Sequence, residues 1–204
     1  MRVFALSILL AALTAWPAAL RADAPRTIQQ VPPYPGSRVD PALQERERQV
    51  FEEGLTGNEG LRSKAIQVMT VAAEPGEVIR WYAGRLGARE EDGAGFDPAI
   101  LMKGGTSPVQ YSVGYYEKDD LENQYERDLL IRDGAWVTSS LKKRQRTADG
   151  RIPRYGRFIW EFINPAGGRS ELTLTVDDAS FDLERKAYSL KTSITVLFQE
   201  FDAE

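Results

Sequence analysis

The spacing of apolar positions changes partway along the chain, from helical recurrence before residue 87 to alternation after Pro108. Val78, Ile79, Tyr82, Ala83 and Leu86 fall on one face of a helix that Pro75 can open, since proline has no backbone N–H to lose in a first turn. Glu77 suits the positive end of that helix, and Gly87 predicts its stop. An earlier helix is expected from Pro41, with Asp40 as N-cap and Gly54 as stop. Its stripe of Leu43, Val50 and Phe51 is narrow among six charged residues, which places it on the surface. Between the two helices, residues 64–73 are β-rich and apolar on both faces, the pattern of a central strand.

After Pro108 the period is two. Val109, Tyr111, Val113 and Tyr115 alternate along one strand, Phe158, Trp160 and Phe162 along another, and Leu172, Leu174 and Val176 along a third. Residues 164–168, Asn-Pro-Ala-Gly-Gly, predict a turn between the last two. A helix is expected within 119–133, where Leu121, Tyr125 and Leu129 recur every four residues, and a strand over Ala135 to Leu141. The final strand sets Tyr188, Leu190, Ile194, Val196 and Phe198 on one face, against Ser189, Lys191, Ser193, Thr195 and Gln199 on the other. Such one-sided alternation belongs to an antiparallel sheet with one face covered and one wet. The expectation is a two-layer α+β domain, an antiparallel sheet with two or three helices packed on its apolar face.

Composition adds a compartment and a set of exclusions. Met1 and Arg2 precede fourteen mostly apolar residues, Val3 to Trp16, after which Pro17 breaks the run. This reads as an export leader, residues 1–22, cut after Ala22, with Ala24 as the other site, and no transmembrane segment in the mature chain. Residues 23–39 are proline-rich, an extended arm lying over the domain or a loose tail, and residues 40–204 form one domain. The periplasm or the exterior is the expected location. There is no cysteine and no histidine, so thiol nucleophiles, iron–sulfur clusters, covalent haem, Ser-His-Asp triads and His-containing zinc sites are excluded. No phosphate-binding glycine loop, metal site or other cofactor site is assignable. The net charge of −4 argues against nucleic acid as partner.

Tyr34-Pro35-Gly36, followed by a strand and then by Glu77-Val78-Ile79, Trp81-Tyr82 and Leu86, resembles a pattern in small exported bacterial proteins of uncharacterised function. Those carry a YPG segment ahead of a V-x-x-[FW]-Y-x-x-x-L helix. The likeness covers about residues 34–86, and Gly87-Ala88 stands where a Gly-Trp pair is usual. It implies an envelope protein of α+β fold and carries over no catalytic residue.

Two surfaces and two reaction types remain. Lys142, Lys143, Arg144, Arg146, Arg151, Arg154 and Arg157 face a single acid, Asp149, within sixteen residues, with Tyr155 among them. A hairpin tip at Ala148-Asp149-Gly150 would present this charge to an anionic envelope component or another envelope protein, or simply keep a strand edge solvated. Trp81, Trp136, Trp160, Tyr111, Tyr115 and Tyr116 could line a groove, though core packing explains them first. The favoured reading is a non-enzymatic binding or interaction protein. The alternative is a small periplasmic hydrolase. It would use carboxylates (Glu90-Glu91, Asp119-Asp120 or Asp177-Asp178) or a Ser/Lys pair, Ser139 with Lys142 or Ser140 with Lys143.

Overall fold

The alternating segments bond into one sheet. A computed structural model describes residues 24–54, 60–89, 104–116, 143–182, 185 and 187–203. Six strands, β1 (Arg38–Val39), β2 (Leu61–Val71), β3 (Gln110–Tyr116), β4 (Ile152–Ile163), β5 (Arg169–Asp178) and β8 (Thr192–Phe201), run in the order β1-β2-β8-β5-β4-β3. Every pairing is antiparallel. The helices are α1 (Pro41–Gly54) and α2 (Pro75–Leu86), and β6 (Phe181–Asp182) with β7 (Ala187–Tyr188) makes a separate small hairpin. The class is α+β, as expected. The helix expected within 119–133 and the strand over 135–141 lie outside the described residues.

Register turns the sequence pattern into rows across the sheet. Phe158 opposes Leu174, which opposes Val196; Trp160, Leu172 and Phe198 form the next row, and Gly156, Val176 and Ile194 the one before. Phe158, Leu172, Leu174, Val176, Ile194 and Val196 are fully buried. Each such side chain is worth about 1.5–3 kcal/mol of burial. Helix α2 lies on β4 and β5 and adds Val78, Ile79 and Tyr82 to this core. Glycine at 156 allows the approach: a Cβ there would stand 2.8 Å from Cγ1 of Ile79.

The arm closes the rest of this face. Pro25, Ile28 and Val31 are buried, the last two within the main core cluster. Arg26 lies 5.6 Å from the Phe162 ring centre, and the Tyr34 ring meets Trp81 edge-on at 5.3 Å while its hydroxyl donates to Glu77. Ile28, Val31 and Tyr34 thus pack on the core, while Arg38 and Val39 enter the sheet itself as β1.

Helix α1 takes a different position. Asp40 caps it through the Leu43 N–H at 3.0 Å, and the Asp40 N–H donates to the Val68 carbonyl at 3.0 Å. The Val68 N–H donates to Oε1 of Gln44 at 3.2 Å, so α1 is tied to the border of β2. The sheet face turned from α2 is only partly wet, with Val68 buried and Ile66, Ile159 and Leu197 half-buried.

The last strand is shorter than its alternation implied. Tyr188 belongs to β7, opposite Phe181, and β8 begins at Thr192. Ser180 enforces the break: its carbonyl accepts from the Ser189 N–H, and its hydroxyl bonds both the N–H and the carbonyl of Lys191 at 3.0 Å. No helix among the described residues is long and apolar enough to cross a membrane.

Candidate anion-binding surface

The basic segment enters the sheet through a tight turn. Thr147 N–H donates to the Arg151 carbonyl at 2.8 Å, Gly150 N–H returns to the Thr147 carbonyl, and Gly150 holds a φ of 85° that other residues resist. Arg146 donates to the Gly150 carbonyl at 2.7 Å, and Arg151 pairs with Asp149 at 2.5 Å. The Thr147 hydroxyl and the Arg151 guanidinium hold the Asp149 carboxyl below its usual range. The guanidinium of Arg151 lies over Tyr115, its Cζ 3.7 Å from the ring centre. Lys143, Arg146, Arg151, Tyr155 and Arg157 are exposed, Arg154 is half-buried, and Lys142 lies outside the described residues.

A bulge aims the β4 end of the patch. Gly114 opposes Tyr155 but Tyr115 opposes Pro153, so Arg154 is the additional residue, 5.7 Å from the Tyr116 ring. Tyr155 and Arg157 then share the face turned from α2. The Tyr155 ring fills the space that a side chain at Gly114 would need.

Arg144 departs from the expectation of a solvent-facing charge. Its side chain is fully buried, with Nε on Glu74 and Nη1 on Asp178, both at 2.7 Å, and Ser180 Oγ at 3.3 Å. Tyr188 lies 5.8 Å beneath it, and the Tyr116 hydroxyl donates to the same Asp178 oxygen at 3.1 Å. Burial works against the guanidinium charge, but Asp178 and Glu74 outweigh it and raise the pKa. This ion cluster ties the start of α2, the end of β5 and the β6–β7 hairpin to the entry of the basic turn. Arg144 is therefore an internal anchor and cannot touch a partner. Its only signal in the chain was Glu74 at a position where serine or aspartate would have capped the helix directly.

Of the carboxylate pairs, only Asp177 and Asp178 lie among the described residues. Asp177 and Asp178 are successive strand residues on opposite faces, and Asp178 belongs to Arg144. Glu90, Glu91, Asp119, Asp120, Ser139 and Ser140 lie outside the described residues, and no group of three acids able to hold a metal occurs among the described ones. Three of the aromatic candidates are accounted for by packing: Trp160 is buried, Tyr111 stacks on Phe158 at 4.6 Å, and Trp81 stands between Tyr34 and Tyr82. Trp136 lies outside the described residues. Surface depressions lie elsewhere, one of about 400 Å³ beside Arg62, Asn164 and Glu200 and another of about 450 Å³ beside Arg26, Gln30 and Thr106.

Asp177 is the group that composition could not single out. Burial pushes its carboxyl up to about 6; Arg154 opposes the rise, while Glu47 and Asp178 add to it. The folded form thus takes up a proton that the unfolded form releases near 4, so stability falls as pH rises between those values and stays lower above them. Asp177→Asn is expected to raise stability by roughly 2 kcal/mol above pH 7 and by almost nothing at pH 4, read from denaturant midpoints. An equal gain at both pH values would refute the buried-carboxylate account.

No family model matches the chain, and no curated protein or solved structure matches it.

Proposed function

We propose that this is an exported, non-enzymatic interaction protein of the bacterial envelope, periplasmic or secreted, whose contact is the basic segment from Lys143 to Arg157. Residues 1–22 would be its leader, and α2 with the arm would be the covering layer of a two-layer domain. What supports the reading most is the joint exposure of Lys143, Arg146, Arg151, Tyr155 and Arg157 in a chain of net charge −4. A positive patch on an acidic molecule attracts an anion at one place and repels it elsewhere, which fixes orientation. Stacking of Arg151 on Tyr115 orders a long side chain in advance and lowers the entropy lost on contact. The matching partner is an anionic envelope component bearing phosphate groups.

Retention on phosphatidylglycerol vesicles should fall steeply with salt. Combining Arg146→Ala, Arg151→Ala and Arg157→Ala should weaken it about a hundredfold, near 1 kcal/mol for each charge. Retention that ignores salt, or none at all, removes the reading. Turnover of a glycoside or ester by the purified protein would put the hydrolase in its place.

A further inference from the structure

The basic turn already holds an oxyanion of its own. One oxygen of the Asp149 carboxyl accepts from the Thr147 hydroxyl, and the other lies 2.5 Å from Nε of Arg151. The donors around this carboxyl are fixed by other bonds. The Thr147 N–H donates to the Arg151 carbonyl, and its hydroxyl accepts from the Arg151 N–H at 3.1 Å. Arg146 donates to the Gly150 carbonyl, and the Arg151 guanidinium rests over Tyr115. A hydroxyl and a guanidinium that share the two oxygens of a carboxylate can equally share two oxygens of a phosphodiester. Both partners face solvent, with 45% of the Arg151 side chain and 51% of Asp149 exposed, so an external anion can reach them. An ion pair that open is worth at most about 1 kcal/mol and yields to a stronger acceptor.

We infer that Asp149 is an internal stand-in for the ligand: a lipid phosphate binds between Thr147 Oγ1 and Arg151 Nε by displacing its carboxylate. The inference rests on the anion-binding reading above and adds to it a subsite and a resident competitor. Only hydrogen bonds are exchanged. Asp149 swings into solvent, still ionised, and a headgroup oxygen takes over its donors. Until then the carboxylate neutralises Arg151, so a lone phosphate in solution gains little. A surface bearing many headgroups also engages Lys143 and Arg146, both exposed, and so prevails over the carboxylate.

The test uses mixed phosphatidylcholine–phosphatidylglycerol vesicles, with pure phosphatidylcholine as control. Asp149→Asn should bind the anionic vesicles about fivefold more tightly than the native chain, the effect of one elementary charge at such a surface. Asp149→Ser should match it, which guards against a defect peculiar to asparagine. Asp182→Asn removes a comparably exposed acid, paired with Arg185 outside the turn, and should change binding less than about twofold. In small bicelles of the same lipids, the Arg151 Hε proton should gain a correlation to phosphorus-31, and inorganic phosphate alone should give none. A correlation that inorganic phosphate produces as readily would assign the place to a soluble anion and overturn the inference. Unchanged or weaker binding in both Asp149 variants, or an equal gain in Asp182→Asn, also overturns it and leaves the anion-binding reading standing. Absence of binding to anionic vesicles by native chain and variants alike overturns both.

Discussion

Arg144→Met is expected to lower the stability of the domain by about 3–5 kcal/mol, the usual cost of removing one partner from a buried ion cluster. Methionine fills much the same volume, so the loss is electrostatic. Asp178, with no exposed side-chain surface, and Glu74, with 14%, would face each other without a counter-ion. In a domain of this size that is a fall of about 10 °C or more in melting temperature. Two companion variants separate charge from packing. Arg144→Met with Asp178→Asn should recover part of the loss, because one orphaned carboxylate is gone. Arg144→Lys should fall between, since an ammonium keeps the charge but cannot reach Glu74, Asp178 and Ser180 together. A loss under about 1 kcal/mol in Arg144→Met would mean that water reaches the cluster.

Ile28→Ala with Val31→Ala should cost about 4 kcal/mol together, which separates an arm that completes the core from one that merely rests on it. Both side chains are buried in the main cluster, at 8% and 4% exposure, and the arm carries little hydrogen-bonded structure of its own. Without them the core would lose cover over β2 and β8, which the segment Ile28–Gln30 contacts, whereas α2 lies on β4 and β5. Urea titration should show a lower midpoint, and protease should cut between residues 24 and 37 before the sheet unfolds. An unchanged midpoint would demote the arm to a tail.

Local rules and local structure agree where the controlling contacts are local. Helix α2 begins at Pro75 and ends at Gly87 in the left-handed conformation, both legible from residue type. The rows through Phe158, Leu174 and Val196 follow from alternation alone. The departures come from contacts distant in sequence. Arg144 reads as one more surface cation because its partners lie 70 and 34 residues away. The strand through Ser189 and Lys191 keeps perfect alternation, yet Ser180 captures that backbone, and periodicity carries no information about a competing acceptor. The raised Asp177 carboxyl depends first on its burial in the fold and then on Glu47 of α1, neither of which a list of acidic pairs contains.

The Gln44 amide oxygen on the Val68 N–H has a consequence for how molecules meet. Strand β1 covers β2 only opposite Thr70 and Met69, and β2 continues past it with amides that a second chain could engage. By occupying Val68, α1 takes the first open donor of that row, the one at which an incoming extended segment would begin to pair. Crowded chains would then pair less readily on this side, and Gln44→Leu is expected to raise aggregation at high concentration, read from light scattering.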